Sequence, residues 1–140
     1  MAPATAYTYF ASKNHLVAEV FARELAALPA ISSVSARPLH RLKREFAHLA
    51  AFLAREPELA SATTVAMLGS EPDVARLRVS TGLVIAERLR TALGDVATDD
   101  RVEALTLVWS GSLLQAGLGH QSWQDMAAQL TRAATLLVTP

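Results

Sequence analysis

Hydroxyl and ammonium groups are concentrated at the start of the chain. Thr5, Tyr7, Thr8 and Tyr9 lie on one short predicted helix, and Lys13 follows at the start of the next helix. Tyrosine and threonine hydroxyls, a lysine ammonium and a helix N-terminus are groups that bind the phosphates beside a DNA groove. The pattern therefore indicates DNA contact. An exposed amphipathic helix that binds nothing remains open as the alternative.

The sequence contains no arrangement typical of a catalytic or metal site. It has no cysteine, which removes thiolate ligands, thiol nucleophiles and disulfides together. His40 and His48 are eight residues apart on one predicted helix, too far to share a metal ion. H-E-x-x-H, phosphate-loop and G-x-S-x-G motifs are missing from the sequence. We therefore expect neither an enzyme nor a bound cofactor.

The charges of the chain balance, with 13 basic and 13 acidic side chains. A complete DNA-binding module normally carries a basic patch, so the balance indicates that most of the chain binds a ligand or dimerises. No secretory signal pattern is visible, and no apolar run reaches the length of about 18 residues that a membrane span needs. We therefore expect a cytoplasmic protein that does not cross a membrane.

Helical spacing of apolar residues continues along the whole chain, and abundant alanine and leucine favour helix over strand. Ser12, Ser70, Thr98 and Ser122 are predicted N-caps, because their hydroxyls can accept from unpaired backbone N–H groups. We expect an all-α chain of seven helices. After the first short helix, the others are predicted over about residues 12–28, 38–55, 57–68, 70–93, 98–118 and 122–139.

Two of these helices carry the clearest apolar patterns. The helix over 38–55 has a single stripe, formed by Leu39, Leu42, Phe46, Leu49 and Leu53. The helix over 98–118 is apolar nearly all round, so we expect it to be buried on more than one side. Gly111 and Gly117 within it each cost about 1 kcal/mol of helix stability, which favours close approach of another helix. The helix before it has Leu83 and Ile85 among its core candidates.

The first sixteen residues resemble the recognition helix, and the start of the following helix, of TetR-type transcriptional repressors. The positions that carry the resemblance are Thr5, Tyr7, Tyr9, Phe10, Lys13 and Leu16. Within that family the likeness is to the actinobacterial branch that represses sterol catabolism. Weaker similarity to that branch occurs at residues 57–60 and 110–117.

The resemblance implies a TetR-type helical bundle in two parts. Residues 1–28 correspond to the end of a helix-turn-helix DNA-binding domain, and residues 29–140 to a ligand-binding and dimerisation domain. The first helix and nearly all of the second helix of that DNA-binding domain have no counterpart here. A misassigned start, a genuine truncation and an edited sequence all remain open. By the resemblance, Thr5, Tyr7, Tyr9 and Lys13 contact phosphate, and Pro3, Ala4 and Thr8 lie nearest the bases of operator DNA.

The implied mechanism is release of a DNA-bound homodimer by a small hydrophobic ligand, for which the resemblance suggests a steroid or a fatty acyl-CoA intermediate. An apolar wall with a few polar groups suits such a ligand. The residues predicted to line the pocket are Phe46, Leu49, Phe52, Thr64, Met67, Leu68, Ile85, Arg88, Trp109, Ser112 and Leu113.

The last two helices carry more apolar surface than one small bundle can cover. In TetR-type proteins the corresponding helices form a two-fold, four-helix dimer interface. The positions predicted for it are Gly111, Leu114, Gly117, Leu130, Ala134 and Leu137. Closure of the monomer core by these residues remains open. The alternative for the whole chain is a truncated module that dimerises or binds ligand without binding DNA.

Overall fold

The computed structural model describes residues 12–31 and 37–139. Over those ranges the chain forms six α-helices and one 3-10 turn, and none of these residues lies in a strand. The predicted all-α fold is therefore confirmed. The helices are α1 (Lys13–Ala27), α2 (Pro38–Ala54), α3 (Pro57–Ala66), α4 (Pro72–Leu93), α5 (Asp99–Gly117) and α6 (Trp123–Val138), and the 3-10 turn is Gly94–Val96.

Three of the predicted N-caps begin helices as expected. Ser12, Thr98 and Ser122 each accept, through the side-chain oxygen, from the backbone N–H three residues later, at 3.0 to 3.2 Å. The prediction of Ser70 as a cap is wrong, because α4 begins at Pro72 with Glu71 in the N-cap position and without a side-chain cap bond. Proline suits the first turn of a helix, where its missing N–H is not needed.

The end of α4 is held from a neighbouring helix. Gly94 has a φ of 61°, a left-handed conformation that ends the helix and that residues with a Cβ adopt only with strain. The Nε of Arg41 donates to the carbonyl of Ala92 at 2.7 Å, and its Nη2 donates to that of Leu93 at 2.8 Å. These bonds satisfy carbonyls that the helix leaves without partners and fix α4 to α2.

The centre of the core lies between α2 and α6, which form the most extensive helix pair. The predicted stripe on α2 is confirmed over its central part, since Leu42, Phe46 and Leu49 are fully buried. α6 contributes a matching face, with Met126, Leu130 and Ala134 fully buried. α1 packs on α3 and α4, while α5 contacts α3, α4 and α6.

α4 and α5 expose large apolar side chains that the sequence assigned to the interior. Leu83 was expected in the core and is 66% exposed, so that prediction is wrong. α5 was expected to be buried on more than one side, yet its Leu107 and Leu118 are 67% and 53% exposed. Within one chain α5 therefore buries a single face.

Candidate functional site

A cavity of about 360 Å³ lies where α3, α4 and α5 meet, with α1 contributing Phe21 and Leu25. Its wall is mainly apolar. The rest of the lining consists of Ala60, Thr63, Thr64, Met67, Leu68, Arg78, Thr81, Gly82, Ile85, Thr106, Trp109, Ser110, Gly111, Leu113 and Leu114. Among the described residues, no aspartate or glutamate lines this cavity. A cavity of this size and composition can enclose a small apolar molecule.

Close contact between α3 and α5 occurs directly beside the cavity. A Cβ added at Gly117 would collide with the side chain of Thr64. The absence of a side chain at this position therefore lets α5 lie against α3. The predicted reason for a glycine inside α5, close approach of another helix, is confirmed at Gly117. At Gly111 the same added atom would meet nothing within 4 Å among the described residues, so none of the described helices explains that glycine.

The hydroxyl groups of the wall all donate to backbone carbonyls of their own helices. Each bond runs to the carbonyl four residues earlier at 2.7 to 3.0 Å, and the donors are Thr63, Thr64, Thr81, Thr106 and Ser110. Such back-bonding satisfies the hydroxyl proton within the helix. The oxygen atoms keep lone pairs, so the hydroxyls can still accept a hydrogen bond from a bound molecule.

Arg78 supplies the charge among the cavity-lining residues that the structure describes. Its Nη1 donates to the carbonyl of Met67 at 2.6 Å and to that of Gly69 at 3.1 Å. These carbonyls follow the end of α3, so the guanidinium fixes the turn between α3 and α4. The side chain is exposed, which keeps its charge in contact with solvent. Arg78 therefore joins two walls of the cavity.

The same turn is connected to the start of α1. Ser12 Oγ donates to Glu71 Oε2 at 3.0 Å, and His15 Nδ1 lies 3.6 Å from Asp73 Oδ2. Ser12 also caps α1, so its hydroxyl has both a structural and a connecting role. A change in the wall near Met67 can therefore reach the first turn of α1 through a short series of contacts.

The structure brings together one part of the predicted pocket. Thr64, Met67, Leu68, Ile85, Trp109 and Leu113 line the cavity. Phe46 and Leu49 do not, because they lie in the filled core cluster. Phe52 packs beside Phe21, with ring centroids 5.7 Å apart, and Arg55 lies over its ring at 5.1 Å. These three residues of α2 therefore lie outside the cavity wall.

Arg88 and Ser112, two of the three polar residues predicted for the pocket, form contacts within the protein instead. Arg88 pairs with Glu45 and donates to the carbonyls of Leu28 and Pro29, so it joins α4 to α2 and to the end of α1. Ser112 donates to Gln129 Oε1 at 2.5 Å and accepts from Gln121 at 3.0 Å. Neither residue lines the cavity.

Sequence reasoning missed several polar residues of the wall, including Arg78, Thr81, Thr106 and Ser110. A usable signal was present, since Thr106 and Ser110 are four residues apart on an otherwise apolar helix. Hydroxyl residues at that spacing lie on one face of a helix. Such a face is typical of a cavity wall with polar groups rather than of a closed apolar core.

The residues predicted to bind DNA lie mostly outside the described residues. This applies to Pro3, Ala4, Thr5, Tyr7, Thr8 and Tyr9. Lys13 is described, and it is exposed as the first residue of α1. The DNA contacts therefore stay predictions.

The residues predicted for a dimer interface divide into two groups. Leu130 and Ala134 are fully buried in the core of one chain, whereas Gly117 is partly buried and packs against α3. Gly111, Leu114 and Leu137 lie at the surface. On α5 the surface positions continue as a stripe, which we call the α5 stripe: Leu107, Gly111, Leu114 and Leu118.

Two further properties concern the residues that the structure describes. None of the helices there has the length and hydrophobicity required to cross a membrane. No group of three or more histidine and carboxylate side chains in those ranges could hold a metal ion.

Comparison with known proteins gives two kinds of similarity. The chain is 38% identical over 140 residues to an uncharacterised HTH-type transcriptional regulator of Mycobacterium bovis, and equally to such regulators of two Mycobacterium tuberculosis strains. Each alignment covers 99% of this chain and 66% of the relative, so the chain spans about two-thirds of the relatives' length. These relatives are named as regulators, in agreement with the prediction that the chain is not an enzyme. No family model matches the chain.

A solved structure supplies the fold comparison. The crystal structure of a TetR transcriptional regulator from Rhodococcus sp. RHA1 superposes with a TM-score of 0.68 and 24% sequence identity. The superposition covers 98% of this chain and 79% of the other. At that identity the comparison shows the fold, which is the TetR type.

Proposed function

We propose that the chain, whose curated relatives are HTH-type transcriptional regulators and whose fold is of the TetR type, belongs to the TetR family and acts in a DNA-binding repressor released by a small hydrophobic ligand. The single observation that carries the proposal is the apolar cavity among α3, α4 and α5, whose wall is connected to the first turn of α1. Within this proposal, residues 1–28 belong to the DNA-binding part, and residues 29–140 bind ligand and dimerise.

The proposed ligand is apolar and uncharged over most of its surface. The cavity contains no carboxylate among its described lining residues, and an isolated charge is costly to bury without a partner. A steroid or the acyl part of a fatty acyl-CoA intermediate has the required apolar surface. The assignment of either compound, like the sterol-catabolism branch, rests on the sequence resemblance alone.

Transmission of the signal is proposed to use the turn between α3 and α4. A ligand that displaces Met67 or Leu68 would move the backbone carbonyls to which Arg78 donates. The same turn carries Glu71, which accepts a hydrogen bond from Ser12. α1 follows directly after the predicted recognition helix, so movement at Ser12 changes how the two recognition helices of a dimer are spaced. DNA half-sites lie at fixed multiples of the helical repeat, and altered spacing weakens binding.

The proposed homodimer uses the α5 stripe and the exposed part of α6. Leu107, Leu114 and Leu118 are spaced seven and four residues apart on one face, and Leu136 of α6 is 85% exposed. Gly111 would let a second helix approach closely. Burial of this apolar surface by a two-fold related copy would remove it from water.

The test is a ligand titration combined with a gel-shift assay on the DNA upstream of the gene. Candidate steroids and acyl-CoA compounds are titrated against the wild-type chain, Gly82→Phe and Leu83→Phe. Gly82 lines the cavity and has open space around its missing Cβ, whereas Leu83 is exposed on the neighbouring position. We expect Gly82→Phe to abolish ligand binding and Leu83→Phe to retain it.

Two outcomes contradict parts of the proposal. Equal ligand binding by Gly82→Phe and the wild type would show that the cavity is not the site. Ligand binding without any salt-dependent retardation of the DNA would favour the alternative module that does not bind DNA. A ligand that binds and releases retarded DNA supports the full proposal.

A further inference from the structure

Trp109 carries a side-chain donor for which the described part of the chain supplies no acceptor. The residue lines the cavity from α5 and is only 5% exposed. Its indole N–H makes no hydrogen bond to any residue that the structure describes. Over the same residues no fully enclosed side-chain nitrogen or oxygen lacks a partner, so this N–H is not fully enclosed. Because Trp109 lines the cavity, we infer that this N–H faces it.

The other polar side chains of the wall differ from Trp109 in what they offer. The five hydroxyls donate within their own helices and present only oxygen lone pairs to the cavity. Arg78 is exposed and holds two carbonyls through Nη1. An indole nitrogen can donate but cannot accept. Among the described lining residues, Trp109 is therefore the buried group that selects for an acceptor.

We propose that the ligand presents a hydrogen-bond acceptor, such as a ketone or ester carbonyl on an apolar frame, to Nε1 of Trp109. This inference rests on the proposed function, because it names the class of molecule that the same cavity takes. A pure hydrocarbon would leave the indole N–H unpaired in a dry site, which costs affinity. An amine would bring a positive charge into a wall with no described carboxylate, although the hydroxyl oxygens could accept from it.

The test uses two probes of equal ring size, cyclododecanone and cyclododecane, which differ in one carbonyl group. Their affinities are measured by calorimetry for the wild type, Trp109→Phe and Trp123→Phe. The second substitution is the matched control, because Trp123 is also buried but lies outside the cavity. A single neutral hydrogen bond predicts that Trp109→Phe weakens ketone binding by about fivefold and leaves hydrocarbon binding unchanged. Trp123→Phe is expected to change neither.

A fluorescence measurement keeps the inference testable even when Trp109→Phe does not fold. The chain has two tryptophans, so Trp123→Phe leaves Trp109 as the single tryptophan. We expect the ketone to shift its emission to longer wavelength and the hydrocarbon not to do so. Binding of both probes to the wild type with equal affinity and identical emission would overturn the inference alone. Failure of both probes to bind the wild type would overturn the cavity as a ligand site, and this inference with it.

Discussion

The packed region between α2 and α6 and the cavity region among α3, α4 and α5 are both enclosed by helices, yet only the first is filled. In the packed region, Phe46 and Leu49 of α2 and Leu130 of α6 are fully buried. In the cavity region about 360 Å³ is left open, and Leu68 on its wall is 63% exposed. α5 borders both regions, because it packs on α6 and also lines the cavity, so overall packing of the bundle does not explain the difference.

Residue size and polarity on the facing helices do explain it. α2 and α6 present large aliphatic and aromatic side chains at helical spacing, and these side chains belong to one buried core cluster. α3, α4 and α5 place Thr63, Gly82 and Ser110 at positions where large side chains would be needed to close the space. Back-bonded hydroxyls satisfy their protons locally, so these residues can line an open space without further partners. A cavity therefore follows from small residues on three helices at once.

The largest expected effect is on stability, when the same leucine-to-alanine substitution is made in each of the two regions. Leu49→Ala removes a fully buried side chain from the packed region and should lower the free energy of unfolding by about 2–5 kcal/mol. Leu68→Ala, at the edge of the cavity, should lower it by less than about 1 kcal/mol. Urea denaturation measures both. Similar losses for the two variants would contradict the assignment of one region as filled and the other as open.

A smaller effect on stability is expected from alanine substitutions at two glycines of α5, one packed against α3 beside the cavity and one with open space around it. Gly117→Ala places a methyl group against Thr64 and should destabilise the fold by about 1–3 kcal/mol. Gly111→Ala has open space at the new Cβ and should raise helix stability by up to about 1 kcal/mol. Thermal unfolding of dilute protein compares them. A Gly117→Ala variant as stable as Gly111→Ala would contradict the close approach of α3 and α5.

The smallest expected effect compares two serine caps, one connected to the cavity region and one at the start of α6. Ser12→Ala and Ser122→Ala should each cost about 1 kcal/mol of stability, because each loses one cap bond. Ser12 also donates to Glu71 on the turn beside the cavity. We therefore expect only Ser12→Ala to reduce the ligand-induced change in DNA affinity, measured by gel shift with and without ligand. Equal reductions in both variants would remove the proposed role of the turn.

The packed region could be predicted from the sequence, while the cavity region could be predicted only in part. A stripe at steps of three and four residues indicates which face of α2 is buried, and Ser12 and Ser122 mark where α1 and α6 begin. The sequence pattern does not distinguish an apolar helix face that packs against another helix from one that lines a cavity. For this reason Phe46 was expected in a pocket and lies in the core, whereas Thr106 was not singled out and lines the cavity.

Two further predictions were wrong, one for a tertiary reason and one for a local reason. Leu83 has the spacing of a core residue on α4, yet no described helix covers it. Ser70 has a side chain suited to an N-cap, but it lies one residue too early. α4 begins at Pro72, so Glu71 occupies the N-cap position. The DNA contacts at residues 3–9 rest on motif similarity and are not described by the structure, so the geometry adds nothing to them.

The most direct test of the central claim, that the cavity among α3, α4 and α5 binds an apolar ligand, is methyl NMR. The chain has two isoleucines, Ile31 and Ile85, and Met67 and Met126 are its internal methionines. Ile85 and Met67 line the cavity, whereas Ile31 does not and Met126 is fully buried in the packed region. With cyclododecanone added to the full chain, we expect the Ile85 and Met67 methyl signals to shift and those of Ile31 and Met126 to stay in place. Shifts confined to Ile31 or Met126, or equal shifts at all four methyl groups, would contradict the claim.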